Sequence, residues 1–156
     1  MPPGERPTRG FTLPGLLVTM AILAAGLQAA AAVWSHQLQR EQEQRLIQVG
    51  SRYALALERY RAASPGGLRR YPTALEELLL DRRFVGTVRH LRRLYDDPLQ
   101  PGRPLALLRN ADGEIVGVYS TSARVPIATA ATDLRGQALP AARSYAQWVF
   151  QARFQP

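Results

Sequence analysis

The chain has 156 residues, room for one domain and an anchor but not for two full-sized domains. It carries 20 basic and 12 acidic residues, a formal net charge of +8, and no cysteine, which excludes disulfide-held scaffolds, thiolate metal sites and cysteine nucleophiles. Every basic residue is Arg, scattered from Arg6 to Arg153; the surplus reads first as a compositional bias and second as attraction to an anionic partner such as DNA or an acidic membrane surface.

Residues 1–10 form a short polar leader in which Arg6 and Arg9 outweigh Glu5. From Phe11 to Val33 there are 23 positions without a charge. As a helix this run is about 35 Å long, enough to cross a hydrocarbon core of about 30 Å. The basic leader predicts a cytoplasmic N-terminus, so that everything after the interfacial Trp34 lies outside. Three fates suit residues 11–34: a secretory signal removed at the Ala29–Ala32 run, an uncleaved anchor, or a segment whose leader is cut off ahead of it. Composition does not choose among them.

Residues 35–63 continue the helix with a different pattern. Leu46, Val49, Tyr53, Ala56 with Leu57, and Tyr60 recur at steps of three and four and form one apolar stripe. Glu41, Arg45, Arg52, Glu58 and Arg59 occupy the opposite face, with Glu41 and Arg45 in the favourable i,i+4 order. Gly50 reads as a tolerable interruption, and Ser64-Pro65-Gly66-Gly67 as the stop. The stripe predicts a helix packed on a head rather than a coiled-coil stalk, which three heptads would barely sustain.

The head, residues 64–156, is expected to be α+β. Tyr71–Leu80 reads as a short helix capped by Thr73 with Glu76, burying Leu75, Leu78 and Leu79. A second short helix or turn is expected over Val85–Leu94, with Leu91 and Leu94 inward, before Asp96-Asp97-Pro98 forces a turn. Leu105–Leu108 and Ile115–Ser120 read as strands joined by a hairpin around Asp112-Gly113. A loop runs to about Pro140, and Ser144–Phe150 supplies a final edge strand, giving a three-stranded antiparallel sheet.

No catalytic constellation is legible. His36 and His90 are the only histidines and have no carboxylate at a recognisable spacing, so both read as structural or solvated. There is no H-x-x-x-H, G-x-S-x-G or phosphate-cradling Gly loop. The expectation is a chain with no enzymatic activity and no cofactor.

Two sets of residues carry a family resemblance. Arg9-Gly10-Phe11-Thr12-Leu13, with Leu16-Leu17-Val18 and Met20-Ala21-Ile22-Leu23, resembles the N-terminal signature of type IV pilins and type II secretion pseudopilins. The resemblance implies cleavage by a prepilin peptidase between Gly10 and Phe11 and N-methylation of Phe11. It also implies a subunit first held in the bacterial inner membrane, with the head in the periplasm. An inner-membrane assembly platform would then extract it into a filament of itself and other pilin-like subunits, packed through Leu16, Leu17, Ile22, Leu23 and Leu27. Pro14 and Gly15 depart from the pattern, because the family usually has an aliphatic residue and then Glu. That Glu is taken to pair with a neighbour's N-terminal ammonium, and Gly15 cannot do so, which points to a special position or to recruitment by other subunits. In the head, Tyr71-Pro72, Leu75-Glu76-Glu77-Leu78, Leu91–Tyr95, Asp97-Pro98, Gly113, Gly117–Ser120 with Ser122, Tyr145 and Trp148 resemble the G-type major pseudopilin. That type binds calcium in a C-terminal loop. Here Thr121–Ala142 supplies only Asp133, and Asp96, Asp97, Asp112 and Glu114 read as turn-formers and partners for Arg. The functional expectation is a structural subunit of a pseudopilus or related filament. The alternative is a DNA-binding minor pilin of a DNA-uptake apparatus.

Overall fold

Helix α1, Thr12–Ala62, opens the computed structural model, which describes residues 12–153. The chain divides into two compact units at Leu38/Gln39. In the first, the described side chains of α1 are exposed almost throughout, and no acidic residue stands in the first turn. This stretch belongs to one helix long and apolar enough to cross a membrane.

The second unit begins with the remainder of α1 and ends with a small sheet. Leu46, Tyr53, Leu57 and Tyr60 are buried along one face of α1, as the three-and-four spacing predicts. Glu41 and Arg45 pair on the open face at 3.8 Å, both well exposed, a contact worth little in water. The helix stops at Ala62, and a 3-10 turn at Pro65–Gly67 follows.

Strands β1 (Ala106–Arg109), β2 (Ile115–Tyr119) and β5 (Val149–Gln151) form an antiparallel sheet in the order β1-β2-β5. Leu107 faces Val118 across the first pair, and Val118 faces Phe150 across the second. Asp112-Gly113 makes the expected turn. Gly113 has φ of 78°, which a residue with a side chain seldom adopts, and the Asn110 side chain accepts from the Asp112 and Glu114 N–H groups at 3.1 and 2.8 Å. The core between α1 and the sheet holds Trp148, Tyr145, Phe150, Ile115, Val118 and Leu78. The fold is therefore α+β, with the long helix packed on a three-stranded antiparallel sheet.

Four local expectations need correction. The Tyr71–Leu80 helix contracts to a 3-10 turn at Leu75–Leu78. Its start is held by Glu77 rather than Glu76: the Glu77 carboxylate accepts from Thr73 N–H, Thr73 Oγ1 and Ala74 N–H at 2.8–3.0 Å. Of the short helix or turn expected over Val85–Leu94 the structure has bends and no helix, and Leu94 is not inward. Leu91 is buried, but Val85 is fully exposed and Leu94 is 39% exposed, because Leu78 O takes both His90 N–H and Leu91 N–H and holds the segment as a bend. The long loop before Pro140 contains a two-stranded ladder, β3 (Ala131–Thr132) with β4 (Ala138–Leu139).

The fourth correction is Gly50, which is buried beneath the Phe150 ring. A Cβ there would lie 2.3 Å from two ring carbons, so the absence of a side chain is what lets β5 approach α1. Gly50→Ala should therefore destabilise the head by about 1–3 kcal/mol through overpacking, although alanine favours helix by about 1 kcal/mol. Thermal unfolding of the full chain in detergent micelles, alone and with Phe150→Leu, measures it, and the smaller aliphatic side chain at 150 should recover part of the loss.

Candidate functional site

The proposed processing junction, Gly10 and Phe11, lies outside the described residues. The segment expected to pack in assembly is described from Pro14 onward. Pro14 stands in the first turn of α1, where a missing N–H costs little. Gly15 has open space around its Cα, and its carbonyl accepts a hydrogen bond from Thr19 Oγ1 at 2.8 Å. Leu16, Leu17, Ile22, Leu23 and Leu27 are 57, 60, 66, 67 and 76% exposed, and Trp34 is 74% exposed. Each large side chain left in water forgoes about 1.5–3 kcal/mol available from burial. Exposed apolar runs of this size mark membrane or protein contact surfaces.

Within the head, three buried carboxylates organise loops around α1. Glu43 is almost fully buried. It accepts from Ile127 N–H and Ala128 N–H at 3.1 Å and from Tyr145 Oη at 2.9 Å. One turn earlier, Gln39 Nε2 donates to Val125 O at 3.1 Å. Asp97, also buried, accepts from Leu99 N–H at 2.9 Å and Ser120 Oγ at 2.6 Å, tying the Asp-Pro turn to the end of β2. Asp133 accepts from Arg135 N–H and Gln137 N–H and meets the Arg135 guanidinium at 2.7 Å. Burial pushes its carboxyl up, but these hydrogen bonds outweigh that and hold it below the ordinary range. Arg135 also reaches Glu58 on α1 at 2.6 Å, with its own side chain only 9% exposed.

A fourth cluster closes the C-terminal end of α1. The Arg83 guanidinium lies 3.6 Å over the Tyr60 ring and donates to Tyr60 O at 2.8 Å and Ser64 Oγ at 2.7 Å. It pairs with the fully buried Asp81 at 2.6 Å, and His90 Nε2 approaches the same carboxylate at 3.0 Å. Tyr60 Oη donates to Glu77. Burial and that acceptor raise the Tyr60 phenol. His90 thus has a carboxylate partner that sequence spacing did not reveal, and its role is to brace a loop. His36 is exposed on the first unit.

Of the carboxylates weighed for cation binding, Asp97 and Asp133 are engaged as described, Glu114 accepts from Asn110 Nδ2 at 3.1 Å, and Asp96 and Asp112 are exposed. Among the described residues, no group of three or more His, Asp or Glu side chains is arranged to hold a metal ion. No family model, curated protein or solved structure matches the chain.

Glu43 and Gly50 were both legible in principle. Positions 43, 46, 50, 53, 57 and 60 form one unbroken series of three- and four-residue steps, so both stand in register with the buried stripe. Arg135 and Asp81 carry no such signal, since their partners are distant in sequence or fixed by loop geometry.

Two outcomes follow from these clusters. Hydrogen bonds from Arg83, opposed by burial and aided by His90, hold Asp81 at about 2 against an ordinary 3.8. Its stabilising contribution, roughly 2 kcal/mol, is complete above pH 3.8 and fades as pH falls toward 2. Equilibrium unfolding of the full chain in micelles between about pH 5 and 2 should show this slope, and Asp81→Asn should flatten it. Arg135→Met removes the guanidinium from Asp133 and Glu58 and leaves both carboxylates with backbone N–H donors alone. It should cost about 3 kcal/mol and speed amide exchange at Asp133 and Gln137, the β3–β4 turn.

Proposed function

We propose that this chain is a structural subunit of a type II secretion pseudopilus or a related type IV pilus-like filament. In this reading a prepilin peptidase cuts between Gly10 and Phe11 and Phe11 is methylated. Before assembly the chain sits in the bacterial inner membrane as a single pass, with its head in the periplasm. The observation that carries the reading is the Gly10-Phe11-Thr12-Leu13 junction at the head of a run without charge to Val33, whose large apolar side chains stand open from Leu16 onward.

The physical argument rests on two successive covers for the same surface. Lipid satisfies Leu16, Leu17, Ile22, Leu23 and Leu27 while the subunit waits, and helix α1 of other subunits replaces lipid in the filament. Association of helices from lipid draws on close packing rather than on removal from water, so small residues such as Gly15 suit the interface. Gly15 in place of an intramembrane carboxylate makes insertion less costly and removes one polar handle for recruitment. The assembly platform and neighbouring subunits then supply the order of addition. The role is mechanical: the buried carboxylates and Arg83 hold the head to its helix, so that force applied along α1 moves the whole subunit.

The test is the mature N-terminus. The full chain, expressed with and without a prepilin peptidase, is analysed by intact mass and peptide sequencing. A product beginning at methylated Phe11, formed only with the peptidase and blocked by Gly10→Glu, is expected. An uncut chain, or one beginning after Ala29–Ala32, would overturn the reading.

A further inference from the structure

The end of the head at which α1 stops carries a group of exposed Arg side chains with few exposed acids beside them. The turns following α1 and the loop 81–90 converge there, because Arg83 binds both Tyr60 O and Ser64 Oγ, Ser64 Oγ reaches Arg70 O at 3.4 Å, and Asp81 N–H donates to Val88 O. Arg59, Arg69, Arg70, Arg82 and Arg89 are all exposed at this end. The nearby acids do not offset them. Asp81 is buried against Arg83 and His90, Glu77 is bonded to Tyr60, Thr73 and Ala74, and Glu76 alone is exposed.

Aliphatic side chains stand among these cations without cover. Leu68 is 66% exposed, Leu80 is 42% exposed, and Val85 is fully exposed at the tip of the loop Phe84-Val85-Gly86-Thr87. The aromatic rings here are not free. Tyr60 lies beneath the Arg83 guanidinium at 3.6 Å and Tyr71 beneath that of Arg61 at 5.3 Å, while Phe84 is half-buried with Arg83 above it.

We propose that this end of the head is a docking surface for an anionic lipid bilayer, with Val85 and Leu68 entering the interface and Arg69, Arg70, Arg82 and Arg89 meeting the lipid phosphates. Charge complementarity argues for an anionic partner, since each Arg near such a surface adds measurable attraction. The aliphatic side chains select lipid over nucleic acid. Single-stranded nucleic acid gains affinity by stacking bases on open aromatic faces, and this surface offers none, whereas Leu and Val flanked by Arg suit the boundary of headgroups and acyl chains. The helix dipole does not account for the cluster. Arg83 already donates to the Tyr60 carbonyl in the last turn of α1, and Arg69, Arg70, Arg82 and Arg89 lie beyond that turn. The inference stands apart from the filament reading, because it requires only the head.

The test uses the full chain held in phosphatidylcholine nanodiscs and floated with separate vesicles, either phosphatidylcholine alone or phosphatidylcholine with phosphatidylglycerol. Binding to the phosphatidylglycerol vesicles, at least tenfold above the neutral ones and weakening as salt rises, is expected. Arg82→Gln with Arg89→Gln should weaken it by about twenty-five-fold, from about a factor of five for each charge. Val85→Ser, which leaves the charge unchanged, should weaken it further. Equal partition into both vesicles overturns the proposal. So does binding that ignores Val85→Ser and is displaced by duplex DNA, an outcome that would assign the surface to nucleic acid.

Discussion

A single helix cannot bury its own side chains, and α1 presents apolar residues along most of its length. From Leu46 to Tyr60 those residues form a stripe, and the head supplies the surface that covers them. Before Gln39 the described apolar side chains are exposed within their unit. The head therefore needs α1 as its core. The first part of α1 leaves its described apolar side chains open, and that asymmetry is what the proposed passage from bilayer to filament uses.

The second determinant is where the carboxylates go. Glu43, Glu58, Glu77, Asp81, Asp97 and Asp133 accept hydrogen bonds from loop backbone, hydroxyl groups or guanidinium groups inside the head. With 12 acids against 20 Arg, engaging these six leaves the exposed charge strongly positive. The net charge of +8 thus understates the local excess. Loops with little regular structure, 81–104 and 120–148, are held by these carboxylates where larger proteins would use extended sheet. Without cysteine, such polar clamps and the packing of Trp148, Tyr145 and Phe150 are what fix the loops in place.

The elements with periodic or turn signals were legible in the sequence: the helix and its stop, the Asp-Gly hairpin, and the third strand. Hydrophobic spacing reports burial along an element, and it reported α1 correctly. It failed where a non-apolar residue occupied a buried position. Glu43 and Gly50 sit in the stripe but were assigned no burial, because one is charged and the other has no side chain to count. The β3–β4 ladder escaped because two-residue strands carry no alternation to detect. The contacts of Arg135 with Glu58 and of His90 with Asp81 depend on loop closure, which no local pattern encodes. The proposed site of processing rests on sequence alone, and the fold adds only that the described large apolar side chains from Leu16 onward stand exposed.

The most direct measurement places a photo-reactive amino acid at Leu27 of the full chain, in cells carrying the complete assembly system, and identifies its adducts by mass spectrometry. Adducts with a second copy of this chain or with another pilin-like subunit, dependent on the assembly machinery, are the result this account predicts. A chain that forms only lipid adducts or none, with and without the machinery, would contradict it.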